Sequence, residues 1–109
     1  MRDHNTSTIS GTLKAAPEVF STSTKKGCKF NVLVRDEWRN ADTGATEERY
    51  DEIHVICHGP VRARAVTLQE DAFVLVTGRL RTSGDKRLYL EAKTIETLAH
   101  ISPPAASDL

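Results

Sequence analysis

The chain has 109 residues, enough for one small domain. Apolar residues make up 39% and charged residues 28%, so the chain can bury a core and is not compositionally disordered. Fifteen Lys+Arg against fifteen Asp+Glu leave no formal net charge, which excludes a strongly basic or acidic tail and leaves room for a local basic face. The longest apolar runs, such as Ala72–Val76, fall far short of a membrane span. Met1–Ser10 is polar and does not read as a signal peptide. Cys28 and Cys57 are too few for a disulfide framework. The expectation is a reduced, cytoplasmic, single-domain protein without membrane contact.

Residues 1–7 are polar and read as a flexible N-terminus. Thr8–Lys14 alternates Ile9, Gly11 and Leu13 with polar residues, the period of a strand, and Gly11 predicts a bulge or sharp bend. Ala15-Ala16-Pro17 interrupts pairing, and Ser21–Gly27 reads as a loop. Cys28–Trp38 is the clearest strand. Cys28, Phe30, Val32 and Val34 take one face, while Lys29, Asn31, Leu33, Arg35 and Glu37 take the other. Asn40–Thr46 is rich in turn formers, and the chain returns through Arg49–His58. There Ile53, Val55 and Cys57 form the core face, and Tyr50, Glu52, His54, Ile56 and His58 the opposite one.

Gly59-Pro60 stops that strand, with Pro60 suited to a first helical position. Val61, Ala65 and Leu68 then recur at helical spacing, predicting a short amphipathic helix. Phe73–Arg81 is strand again, with Val74, Val76, Gly78 and Leu80 inward. Ser83-Gly84-Asp85 is a tight turn, Leu88–Leu98 the last strand, and residues 100–109 a short disordered tail. Five strands with one short helix between the third and fourth predict an all-β protein. The pattern is that of an OB-fold, a Greek-key barrel, over residues 8–99.

Four segments in order resemble the bacterial single-stranded DNA-binding protein superfamily. Ile9–Val19 is similar to that family's first strand, closing on Pro-Glu-Val. Phe30–Trp38 resembles its second strand, and His54–Gly59 its third. Val74–Thr82, with Gly-x-Leu-Arg-Thr, resembles its fourth. The resemblance implies sequence-independent single-stranded DNA binding in replication, recombination or repair. It also implies a homo-oligomer (dimer or tetramer), with replication or primosome proteins as further partners. No cofactor is implied.

The chain departs from the pattern as well. Glu52 and His58 stand where the family usually has aromatics, and the hairpin after Arg81-Thr82 is short. The long linker with an acidic tip is missing. These departures resemble a sister family, primosomal replication protein N, as do Ser10–Pro17, Gly27–Phe30 and Leu90–Leu98.

Single-strand binding needs cations along the backbone track and flat rings for bases. Trp38, the one tryptophan, lies among charged residues at a strand end. Stacking and core are its two readings, and the neighbours favour stacking. Lys29 and Arg35 share one strand face, Arg79 and Arg81 another, and Lys86 and Arg87 end the next turn. Each alone reads as solvated charge; together they predict a phosphate track. Nearby Glu37, Glu47, Glu48, Asp51 and Glu52 predict weaker and more salt-sensitive binding. His54 and His58 read as a binding-face pair, a subunit contact or ordinary surface. Tyr50 and Tyr89 are further stacking candidates, and Phe30 is core.

Catalysis is not expected. Cys57 and His58 point to opposite faces and do not converge on a metal. No phosphate-cradling loop or nucleophile elbow is present. The non-enzymatic alternative is an OB-fold whose face takes a protein partner instead of nucleic acid.

Overall fold

Strands with one apolar face must bury it, and a small sheet can do so by closing on itself. The computed structural model describes residues 3–98. In chain order they form β1 (Ser7–Leu13), β2 (Glu18–Ser21), β3 (Lys26–Arg39), β4 (Thr46–His58), α1 (Pro60–Ala65), β5 (Phe73–Thr82) and β6 (Leu88–Thr97). The sheet runs β1-β5-β6-β4-β3-β2, and an additional β1–β3 pairing closes it. β1, β5, β6, β4 and β3 are therefore the five staves of the barrel, with β2 paired to β3 alone at its edge. All ladders are antiparallel except β4–β6, which meets at Val55↔Leu90 and Ile56↔Glu91. This is an OB-fold, with its helix between the third and fourth barrel strands as the alternation predicts.

Closure depends on two places where backbones come too close for a side chain. β1 changes partner at its end: Ser7–Thr12 pairs with β5, and Thr12–Leu13 with β3. A Cβ on Gly11, at that crossing, would strike the Leu33 carbonyl. In β5 the register against β6 shifts between Thr77 and Gly78, and a Cβ on Gly78 would strike the Glu91 carbonyl. The bend expected at Gly11 is thus a strand passing between two neighbours.

The inward-facing residues form one core of Leu13, Cys28, Phe30, Val32, Val55, Cys57, Val74, Val76, Leu90, Ala92 and Ile95. Ala65 of α1 and Leu68 just beyond it cap one end. The helix stops at Ala65, and Leu68 stays buried in the turn that follows. Cys28 and Cys57 face each other across β3 and β4 with no exposed surface. Burial pushes the Cys57 thiol up to about 12, which fits small core side chains and not a nucleophile.

Four expectations need correction. Leu80 was expected inside but is 42% exposed, because the β1 ladder ends at Ser7↔Gly78 and beyond it, among the described residues, β5 pairs with β6 alone. Glu18–Ser21 is a strand, although Pro17 and the polar loop around it suggest none. Ser7 already belongs to β1. Asn5, expected in a flexible terminus, uses its side-chain amide to exchange two hydrogen bonds with the Leu80 backbone, at 2.8 and 3.1 Å. Residues 100–109, expected as a tail, lie outside the described residues.

Gly78→Ala is expected to cost about 1–3 kcal/mol or more, because the Glu91 backbone must move. Gly84→Ala, at an open turn, should stay within about 0.5 kcal/mol in the same urea titration. Equal effects would place the closure elsewhere. Both thiols should resist Ellman's reagent in the native protein and react in denaturant; rapid native labelling would mean that the barrel opens at β3–β4.

Candidate functional site

Alternation on β3 and β4 gives the barrel an outer face as well as a core. Residues paired across antiparallel strands share a face, so Lys29 stands with Ile56, Asn31 with His54, and Arg35 with Tyr50. Ile56 lies beside Glu91 of β6, and β5 sets Arg79 opposite Glu91 and Arg81 opposite Tyr89. A cleft runs between Asn31, His54 and Ile56 on one side and Asp85, Arg87 and Tyr89 on the other. It continues into a depression bordered by Lys25, His58, Arg79 and Arg81. The structure therefore brings together Lys29, His54, His58, Arg79, Arg81 and Arg87 on one side of the barrel. Lys86 sits in the β5–β6 turn beside Arg87, with a left-handed φ of 65°.

Arg35 and Trp38 lie apart from that cleft. From Arg35 to Glu52, β3 and β4 form a two-stranded arm in which every residue except Asn40 is exposed. Among the described residues no third strand pairs with it. Trp38 is 42% exposed and opposite Glu47, on the arm face away from Arg35 and Tyr50. The core reading for Trp38 is excluded, and so is a shared face with Arg35.

Four cations of the cleft hold a carboxylate. Arg79 Nε donates to Glu91 Oε1 at 3.0 Å, and Arg81 Nη1 lies 3.8 Å from the same oxygen. Lys29 reaches Glu18 at 3.7 Å, and Arg87 reaches Asp85 at 3.4 Å. The Lys29–Glu18 and Arg87–Asp85 pairs are exposed and therefore weak, whereas Glu91 is largely covered and shared between two arginines. Arg35 is bound more closely, by Glu48 at 2.9 Å and also by Glu37. The Ser83 hydroxyl hydrogen-bonds Asp85 and holds its carboxyl below the usual range.

A polar chain sets the state of His54. Lys14 Nζ donates to Glu52 Oε1 at 2.7 Å, and Asn31 Nδ2 donates to Glu52 Oε2 at 3.1 Å. A carboxylate only accepts, so the Asn31 amide points its nitrogen at Glu52 and its oxygen at His54 Nδ1, 2.7 Å away. Nδ1 must therefore carry the proton, which leaves Nε2 bare in the neutral ring. Partial burial, helped by the Lys29 ammonium, lowers the His54 pKa from 6.5.

His58 is positioned differently. Its ring meets Phe20 edge-on, with centroids 5.9 Å apart at 85°. Phe20 also covers Gly27, where a Cβ would strike its ring. His58 is thus half-buried beside Phe20, with part of it still lining the depression next to Arg79 and Arg81. Sequence reasoning missed Phe20, Asn31 and Lys25. The usable signal was Val19-Phe20, an apolar pair isolated between a proline and a polar loop, with a glycine seven residues on to receive the ring.

No family model matches the chain, and no curated protein matches it. Among solved structures the fold is similar to that of a small single-stranded DNA-binding protein from Streptomyces coelicolor. The TM-score is 0.71 at 16% identity, over 90% of this chain and 96% of that one. A Plasmodium falciparum SSB in complex with ssDNA gives a TM-score of 0.76 at 14% identity, covering 91% and 98%. A deletion mutant of the single-stranded DNA binding protein from Thermus aquaticus gives 0.76 at 22% identity, covering 90% of this chain and 52% of that one. At these identities the likeness is one of fold.

His54 is expected to titrate below 6.5 by NMR, with Nδ1 as the protonated nitrogen in the neutral ring. Because the folded ring holds its proton less tightly than the unfolded one, its contribution to stability is lost as pH falls through the His range. Lys29→Gln should raise the titration point. An unchanged value would mean that Lys29 does not act on the ring.

Proposed function

We propose that the chain binds single-stranded DNA without sequence preference along the outer face of β3, β4, β6 and β5. The observation that carries this reading is the run of adjoining depressions bordered by Lys29, Arg79, Arg81 and Arg87, with Tyr89, Ile56 and His54 between them. Cations spaced around flat and apolar side chains are what a flexible polyanion with exposed bases requires. The fold shared with proteins described as single-stranded DNA-binding supports the same reading, one of them solved with ssDNA.

Lys29, Arg79, Arg81, Lys86 and Arg87 track phosphates, and Tyr89 provides the central stacking ring. His54 meets the strand through Nε2, and His58 holds the end of the cleft against Phe20. Arg35 and Trp38, on the arm, stand outside the path. The described face is short, so copies must pool their tracks. A homo-oligomer, acting in replication, recombination or repair, is the setting that fits.

The test is a titration with a fluorescently labelled polythymidine of roughly 35 nucleotides at ~50 and ~200 mM salt, followed by anisotropy. Binding that weakens with salt is expected. Tyr89→Ala should cost about 1–3 kcal/mol, and Arg79→Gln/Arg81→Gln should lower affinity at low salt, while Trp38→Ala stays within about twofold. Acidification through the pH at which His54 takes up its proton, which lies below 6.5, should steepen the salt dependence by about 0.7 per added phosphate contact. His54→Gln should remove that increment. An absence of binding at both salts would turn the reading to a protein-interaction module.

A further inference from the structure

The arm from Arg35 to Glu52 is poorly explained by the barrel. The molecule measures 53 × 31 × 26 Å with a radius of gyration of 16.2 Å, against about 13 Å for a compact chain of 100 residues. A two-stranded ribbon gains little stability of its own, yet the arm keeps an unbroken register out to Arg39↔Thr46. It exposes one large aromatic on each face, Trp38 on one and Tyr50 on the other. Both faces are unpartnered sheet surface.

Charge selects what covers them. Between Arg35 and Glu52 seven carboxylates oppose three guanidiniums, a formal −4. The chain as a whole is neutral, so the remainder carries +4. On the barrel, Lys25, Lys29, Arg79, Arg81 and Arg87 border one concave face. Glu18, Asp85 and Glu91 share that face with its cations, and Glu52 at the foot of the arm lines it too, so the face keeps a small positive excess against the negative excess of the arm. The continuous ladder holds the arm as an extension of β3 and β4, so it cannot fold back onto the face those strands help to build.

We infer that the arm of one copy docks on the basic outer face of a second copy, where Glu47 and Glu48 take the place of phosphates and Trp38 or Tyr50 that of a base. The contact joins two different surfaces and yields a series of two or more copies, closed where the last arm seats on the first face and open where it does not. Single-stranded DNA competes for the same face and disperses the series. The inference rests on the proposed function only for the identity of that competitor.

Sedimentation velocity of the full chain, over a range of concentrations at ~20 and ~300 mM salt, tests this contact. Across that range the screening length falls from roughly 20 to roughly 6 Å. Association above the high-salt species is expected at low salt only. Glu47→Gln/Glu48→Gln removes one charge from each arm face and should weaken the association about two- to thirtyfold. Glu70→Gln/Glu96→Gln, an equal charge change at exposed barrel positions, should leave it intact. Excess polythymidine should disperse the wild-type series.

Equal masses at both salts, equal behaviour of the two double variants, or a series that persists with DNA bound would each overturn the inference. If polythymidine binds neither wild type nor the arm variant, the proposed function fails, and the two variants alone decide the arm contact. Matching thermal midpoints for all three proteins guard against a folding artefact.

Discussion

The structure rests on two contacts that only hydrogen can make. Gly11 lies against the Leu33 carbonyl and Gly78 against the Glu91 carbonyl. At the first, β1 leaves β5 for β3; at the second, the β5–β6 register slips by one residue. These approaches turn a sheet with open edges into a ring, which removes the unpaired edges a flat sheet would expose. Closure also defines the outer face. Arg79 and Arg81 come next to Tyr89 and Glu91 because of the register set beyond Gly78. His54 and Ile56 come next to them because β4 meets β6 in parallel at Val55 and Ile56. The cleft is a consequence of barrel geometry, completed by Asp85 and Arg87 of the β5–β6 turn.

Much of this was legible in the amino-acid order. Alternation through Cys28–Val34 and Ile53–Cys57 identified the core face, and both runs are buried or half-buried as read. Pro60 marked the start of the helix, and Gly11 marked the bend. What alternation cannot report is where a strand leaves the barrel. Leu80 and Trp38 keep the parity of core residues, yet lie beyond the last flanking strand and face solvent. Short elements escape it for a different reason. Glu18–Ser21 has four residues, too few for a period, and its pairing depends on Gly27 across the loop.

Site chemistry was legible only as residue type. The sequence placed basic residues at outward positions, but which of them meet depends on pairing between β4, β5 and β6, far apart in the chain. His54 illustrates the gap. Its role follows from Lys14 at the end of β1, Asn31 on β3 and Glu52 on its own strand, linked in one hydrogen-bonded chain. Glu52, where the family resemblance leads one to look for an aromatic, is the acceptor that orients the whole chain and thereby the histidine tautomer. His58, which alternation treats as its equivalent two residues on, is instead absorbed into packing with Phe20 and Gly27.

The neutral net charge takes on a different meaning once the pairs are located. For a free lysine on a protein surface, meeting a phosphate releases counterions from the nucleic acid with nothing to set against them. Here Arg79, Arg81, Lys29 and Arg87 already hold Glu91, Glu18 and Asp85. If the face takes a single strand as proposed, binding is an exchange: the phosphate takes the cation, and the freed carboxylate gathers a salt cation of its own. The net release per contact is smaller than for an unpaired cation, so the pairs weaken binding while flattening its response to salt. That modifies the expectation that nearby carboxylates would make binding more salt-sensitive. An unpaired repulsive carboxylate would do so, but one tethered to the binding cation acts as its resident counterion. Under the proposed function, a polyanion gains the surface only by outcompeting those residents, and the same condition applies to the acidic ribbon of another copy.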